Sequence, residues 1–489
     1  MLPIGSPGPG LNRIPEGVLL IGSGAAETII DAENTLRDGS PVNAMGVGAD
    51  GVRIAGFTVR NSSAVGIFLL NSDNAIIDSN FFIGNGRFGV GASGTGGLVL
   101  NGNVARANNE TGFSVASAPV RSVSNPPPGC PSSFGACIIR NIANEHSRDG
   151  FLMTTGGDYQ VIENTAMNNG ISGIEINNRG NATPLNSRVL DNLTANNGGV
   201  LFPFSGTGIL ITEFAHAEEI SGNQVVNNRP GGIAVFEDAT AVRVEDNVIQ
   251  NSKQNGLIIQ KRSYVESVTG NQVVDSGLAG IFVENSAEVD NMNGNLVQNN
   301  GTCSNCTAAK GGLAILGDSV VRTDHDNSFD RNSLGMQIAK GSMAETVTQS
   351  TFNNSGGGGV LVRQNSSIPN FSDNEVRNNR GASSVALDES SGMIARCEIT
   401  APAGVGVSLF QASTLMMQES SVSNALAEGI AVYEGSQLDL SFVDVLNNGD
   451  SGILTAGAGT AATIADSAVT GNNGYGLNAQ GESSICLLY

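Results

Sequence analysis

Between Glu219 and Gly301 one segment is repeated in tandem: GNQVVNNRPGGIAVFE from Gly222, DNVIQNSKQNGLIIQK from Asp246, GNQVVDSGLAGIFVEN from Gly270 and GNLVQNNG from Gly294. Its first Asn falls at Asn223, Asn247, Asn271 and Asn295, 24 residues apart each time. A period of this length marks units that cannot bury an apolar face alone and must stack on their neighbours. Setting that Asn as position zero aligns the rest of the chain: Phe57, Asn80, Asn103, Asn141, Asn164 and Asn192 before the tandem block, then Asn327, Ser350, Asn374, Cys397, Ser420, Val443 and Ser467 after it. Three residues earlier the side chain is apolar almost throughout (Ile54, Leu100, Val161, Val244, Phe371, Ile464), and two residues later it is again apolar (Val225, Ile249, Phe352). Nine residues on, a Gly opens an alternating run such as GIEIN or GIFVE. Alternation with period two is a strand signal. The expectation is an all-β, single-stranded parallel solenoid of about 17 coils occupying residues 1–489 as one domain. Insertions fall at 116–136, 178–186, 197–206 and 302–310.

Composition agrees with a folded solenoid. Hydrophobic residues make up 40 % of the 489 positions, enough to fill a core, while Gly reaches 65 and Trp is absent. The net charge of −21 excludes ordinary nucleic-acid binding, which needs a basic surface against phosphates. It also disfavours long polyanions unless a basic patch or a bound cation intervenes.

The recurrent Asn has a structural reason that needs no catalysis. A tight corner buries backbone polar groups, and a side-chain amide offers both donors and an acceptor to satisfy them. The N-x-V-x-N-N…G-I-x-V pattern, with the opening IPEGVLLIGSGAAETIIDAEN, resembles the right-handed parallel β-helix proteins of the pectate-lyase-like superfamily. That resemblance implies a right-handed helix. It implies little about activity, since such relatives include polysaccharide lyases, hydrolases, uronate epimerases, tailspikes, adhesins and surface proteins.

Two close cysteine pairs lie in polar insertions, Cys130 with Cys137 and Cys303 with Cys306. They read as local disulfides of an oxidising compartment, hence a secreted or cell-surface chain; a metal site is the rival reading. Cys397 and Cys486 have no partner near in sequence. No apolar run approaches the roughly 18 residues of a membrane span. Met1–Pro15 lacks the basic start and apolar core of a signal peptide. The repeats begin at once, so the expectation is a chain lacking part of its N-terminal cap, as in a segment of a larger exported protein.

Outward positions of the Gly-led strands form two columns that are largely apolar. An uncovered apolar strip of that length exceeds what monomers usually expose, so loops, further chain or a partner should cover it, or Phe236, Phe282, Phe410 and Tyr433 should stack on sugar rings. Glu175, Glu284, Asp388 and Arg363 are the charged exceptions. Asp388 and Arg363 fall on adjacent coils and are expected to pair. Glu175 and Glu284 are four or five coils apart, roughly 20 Å at the usual strand spacing, too far for the carboxylate pair of a glycosidase.

The segment RTDHDN, Arg322–Asn327, departs from the repeat. Asp324 stands where other coils place an apolar inward residue, and a buried carboxylate must be paired, metal-bound, protonated or turned out. Arg322 aligns with Glu266, Asp290 and Glu345 of neighbouring coils. The structural reading is an ion-pair ladder. The functional readings are a calcium site at Asp290, Asp324 and Asp326, or catalysis by Asp324, His325 and Arg322. His146 and His216 read as solvated turn residues. No G-x-S-x-G, Walker loop, GGxGxD repeat, Asp-Pro-His triplet or R-x-P-x-x-R segment is present. The leading expectation is a non-catalytic exported rod that binds polysaccharide or another surface protein, without a cofactor. The alternative is a carbohydrate-active enzyme of lyase or epimerase type, with its site at Arg322–Asp326 or under the loops.

Overall fold

A computed structural model describes residues 15–37, 39–179, 186–198, 206–303 and 310–488. Among the described residues every regular element is a strand and there is no helix, as expected for a parallel β-helix. Each coil contributes three strands. In the coil that starts at Asn141 these are Ile142–Asn144, Phe151–Thr154 and Tyr159–Ile162. Each pairs in parallel with the equivalent strand of the next coil, as Ile142↔Thr165, Phe151↔Ile174 and Val161↔Val189 show. The three kinds of strand number 19, 18 and 18, which makes about 18 turns. The additional turn precedes Phe57: Leu20 pairs with Ile54 and Ile30 with Val59, so the corner level with Phe57 is lengthened to Ser23–Thr28, and the lack of an Asn there hid the coil from the repeat.

The chain divides into two compact units, Met1–Lys253 and Gln254–Tyr489. Each has an apolar interior built from stacked like residues. In the first, Phe113 and Phe151 stack with centroids 5.2 Å apart; in the second, Phe329 and Phe352 do so at 5.0 Å.

The corners explain the Gly-Asn, Asp-Asn and Asn-Asn pairs of the sequence. The residue just before each ladder Asn adopts a left-handed backbone, as at Ser79, Glu163 and Asp191, and Gly takes the place at Gly102 and Gly222. A second left-handed residue stands four positions after the ladder, at Asn168, Asn196 and Asn227. Asn tolerates that conformation better than most residues.

Of the four insertions, 116–136 is fully described. Arg121–Ser122 and Ser133–Phe134 form a small antiparallel pair, and Cys130 and Cys137 are disulfide-bonded with Cα atoms 6.0 Å apart. Phe134 and Cys137 pack on Val99, Ile139 and Ile162, outward residues of the strands that precede the ladder. This loop therefore covers the first face of the coils, whereas the sequence raised the need for cover on the Gly-led face. Residues 180–185, 199–205 and 304–309 of the other insertions lie outside the described residues, and with Cys306 so does the Cys303–Cys306 pairing.

Candidate functional site

The amide ladder runs as the repeat implies. Asn164 Nδ2 donates to the Ile138 carbonyl at 2.8 Å and to Asn192 Oδ1 at 3.1 Å, while its Oδ1 accepts from the Asn141 backbone at 2.9 Å. A second ladder, five residues on, joins Asn85 to Asn108 and Asn169 to Asn197 to Asn228. The second Asn of pairs such as Asn168–Asn169, Asn196–Asn197 and Asn227–Asn228 was its signal in the sequence. His146 occupies a rung of this ladder, between Asn108 and Asn169. It is 2 % exposed, so it is not a solvated turn residue. Its Nδ1 accepts the Asn108 N–H at 3.1 Å, as an Asn Oδ1 would, and burial pushes its pKa down to about 4. His216 is half-buried, with Nδ1 2.7 Å from Thr240 Oγ1.

Three residues beyond His146 stands Asp149, on the coil before Glu175, and the sequence had not linked these two carboxylates. Asp149 is fully buried at the corner ahead of the Gly-led strand, and its Oδ1 accepts the Ser172 N–H at 3.0 Å. Glu175 lies on the next coil, opposite Leu152, half-buried, with Oε1 accepting Asn177 Nδ2 at 2.7 Å. Burial first, then the charge of Glu175, lifts the Asp149 pKa to about 7; burial likewise raises that of Glu175. Such pairs mark candidate functional positions, though ion networks perturb carboxylates as well. Asp149 went unread because its column holds Thr111, Ser172 and Thr207 on neighbouring coils, so no acidic pattern repeats there.

Around Arg322 the geometry is an ion network. Its guanidinium reaches Asp290 at 2.9 Å, Glu288 at 2.8 Å and Glu345 at 3.1 Å, and Tyr264 donates to Asp290 at 2.5 Å. Asp324 points into the core, fully buried, with burial raising its pKa to about 6. Its Oδ1 accepts from Ser350 Oγ at 2.8 Å. That bond accounts for the anomaly. A ladder Asn donates back to the carbonyl of the inward residue of the preceding coil, as Asn327 does to Met292 and Asn374 to Val347. Ser350 is too short for this, and the Asp324 carboxylate comes to meet it. His325 is half-buried beside Thr348, and Asp326 is an exposed corner residue with φ of 53°. Asp290 outside, Asp324 inside and Asp326 at the corner do not converge on one point. Among the described residues no three His, Cys, Asp or Glu side chains gather at metal-binding reach.

The outward columns have the register read from the sequence. In the first unit, Leu152, Glu175 and Leu210 stand in line, and Thr212 lies opposite a half-buried Phe236. In the second, Phe282 stands between Ile258 and Ala314, and Glu284 accepts from Gln260 Nε2 at 2.6 Å. Most apolar members are buried or half-buried. Leu70, at 37 %, is the one large apolar side chain of the described columns with substantial exposure. Arg363 is level with Asp388, and Asp388 with Phe410, with Tyr433 next in the column. The expected Arg363–Asp388 ion pair does not form; with the Gln337 amide oriented so that its oxygen faces the guanidinium, Arg363 Nη2 and Nε donate to it at 2.9 and 3.2 Å. Gln337, a neutral amide in the other outward column of the preceding coil, level with Leu361, competes for the guanidinium without a second charge to desolvate. Phe410 and Tyr433 stack on each other, centroids 5.3 Å apart and planes inclined by 12°.

Comparison with known proteins bears on the fold. The profile of the right-handed β-helix region matches residues 13–126, 149–334 and 335–488. No curated protein sequence matches the chain. Among solved structures, the chain is similar to the catalytic domain of a GH87 alpha-1,3-glucanase in complex with nigerose, with 11 % identity and a TM-score of 0.22. That alignment covers 94 % of this chain and 62 % of the other. On the family match, which spans most of its length, the chain belongs to the right-handed β-helix family.

Proposed function

We propose that this chain is an exported, non-catalytic β-helix protein, one domain over residues 1–489, that binds glycan on the Gly-led face of its second unit. The observation that carries this reading is the stacked ring pair Phe410–Tyr433, in one outward column with Asp388 and Arg363. At the usual strand spacing the column from Arg363 to Tyr433 spans about 14 Å. Next to Tyr433 stands Ala456, whose small side chain leaves the far face of the phenol ring without an aromatic neighbour. A pyranose ring fits against such a face, and Arg363, with no carboxylate partner among the described residues, supplies hydrogen-bond donors to hydroxyls. The Cys130–Cys137 disulfide supports an oxidising destination.

Tyr433→Ala and Phe410→Ala are expected to weaken oligosaccharide binding at least about tenfold, the scale of losing one aromatic contact. Calorimetry on the full chain checks this, and affinity unchanged in both variants sinks the proposal. The enzymatic alternative, a lyase or epimerase type, draws its support from the Asp149–Glu175 pair rather than from Arg322, Asp324 and His325. Product release that disappears in Glu175→Gln would favour it.

A further inference from the structure

Asp149 does a structural task that asks for only one of its oxygens. Asn43 Oδ1 accepts the Val65 N–H at 3.2 Å and Asn255 Oδ1 accepts the Ala279 N–H at 2.9 Å, as Asp149 Oδ1 accepts that of Ser172. An amide is therefore sufficient at this corner, and the chain uses one in two other coils. The second oxygen, Asp149 Oδ2, is buried and has no hydrogen-bond partner among the described residues. On the coils to either side, Thr111 Oγ1 and Ser172 Oγ are equally buried and equally without partners. Asn177, 4 % exposed, spends its Nδ2 on Glu175 and leaves Oδ1 unpartnered.

These groups are all oxygens. A buried polar atom without a partner is unfavourable, and neighbouring carboxylates add mutual repulsion. No Lys or Arg side chain forms an ion pair with Asp149 or Glu175 among the described residues. Arg148 is exposed, and Arg179 is engaged by Glu213 at 2.6 Å. Carboxylate, hydroxyl and amide oxygens on adjacent coils are the donor set of a hard divalent cation. We propose that Asp149 and Glu175, with the hydroxyl of Ser172, which is level with Asp149 on the coil of Glu175, bind such a cation, of the calcium class. Two carboxylates supply the charge and neutral oxygens complete the shell, so three clustered acids are not required. The site is in the first unit, apart from the glycan column, and does not depend on that reading.

The test uses the full chain, stripped with a chelator at pH 8 and titrated with Ca²⁺ by calorimetry and thermal unfolding. One equivalent of Ca²⁺ is expected to bind and raise Tm by several degrees, as a ligand of the folded state must. Asp149→Asn keeps the acceptor for Ser172, as Asn43 and Asn255 show, and is expected to fold with the Ca²⁺ response abolished. Glu175→Gln is expected to weaken binding at least about tenfold, the scale of losing a charge-assisted contact. Absence of any Ca²⁺ response in the wild type overturns the proposal, as does a response that survives in Asp149→Asn. A stability that follows pH alone and ignores Ca²⁺ means that the pair holds only a shared proton, and overturns it equally.

Discussion

Asp324 and Ser350 are one substitution made at two places. Read alone, each breaks the repeat; together, the short hydroxyl and the inward carboxylate form a hydrogen bond where a longer amide would have served. Asp324 was legible as an anomaly, but its partner lies 26 residues away on the next coil, and Ser350 reads as an ordinary variant rung. Asp324→Val with Ser350→Asn restores the regular pattern and removes a buried carboxylate whose Oδ2 has no partner. The double variant should gain about 1–3 kcal/mol at pH 7. The sign of its pH dependence follows from the raised pKa. The folded state holds the Asp324 proton more tightly than the unfolded, so its contribution is full below 3.8 and is lost as pH rises through about 6. Unfolding curves from pH 4 to 7 should therefore diverge, wild type falling against the double variant. A double variant less stable than wild type at pH 7 would refute the pairing.

His146 carries the opposite sign. Its folded pKa, near 4, lies below the ordinary 6.5 because burial disfavours the cation. Its stabilising effect is present above 6.5 and is lost as pH falls towards 4. His146→Asn, matching the rungs on either side, is expected to flatten that acid loss; an unchanged profile would count against the rung.

At the scale of the coil, the corners were the most readable feature and the loops the least. The pairs Gly-Asn, Asp-Asn and Asn-Asn state both the left-handed residue and the buried amide that follows it, because few side chains suit either place. The first ladder was read in register from Asn80 to Ser467, while the second was passed over, its signal divided among Asn, Ser and one His. The first coil was missed for a similar reason, since its longer corner, Ser23–Thr28, offers no amide. The Val99–Phe134–Cys137 cluster could not be read from periodicity. An insertion has no register, and which face it covers depends on where its ends leave the coil. Asn164 tests the ladder within one unit. Asn164→Leu leaves the Ile138 carbonyl and the Asn141 N–H without partners and should cost at least about 2 kcal/mol. Asn164→Ser should cost less, since a Ser rung still accepts the N–H of the preceding rung, as Ser350 accepts that of Asn327 at 3.1 Å. Equal melting temperatures for wild type and the Leu variant would disprove the ladder's role.

For the molecule as a whole, the stacking that makes the fold also sorts its charge. Like positions of successive coils stand in columns, so Arg pairs with an acid one coil away, as in Arg53–Asp78, Arg140–Glu163 and Arg396–Asp373. Exposed pairs of this kind each contribute at most about 1 kcal/mol, but they occupy about half of the 24 Lys and Arg residues that a chain of net charge −21 possesses. Arg363 keeps clear of that pairing and stands near two stacked rings, which is why the second unit carries the glycan reading. The residues of that column were legible because outward positions follow from period two. The Asp149–Glu175 pair was not, because a corner and a strand are not in one period. The most direct measurement is a single panel of acidic and neutral oligosaccharides, scored on the same samples for binding and for product release, with wild type and Tyr433→Ala. Binding to at least one class without turnover, lost in Tyr433→Ala, is the result expected. Turnover by the wild type, or binding indifferent to Tyr433, would contradict it.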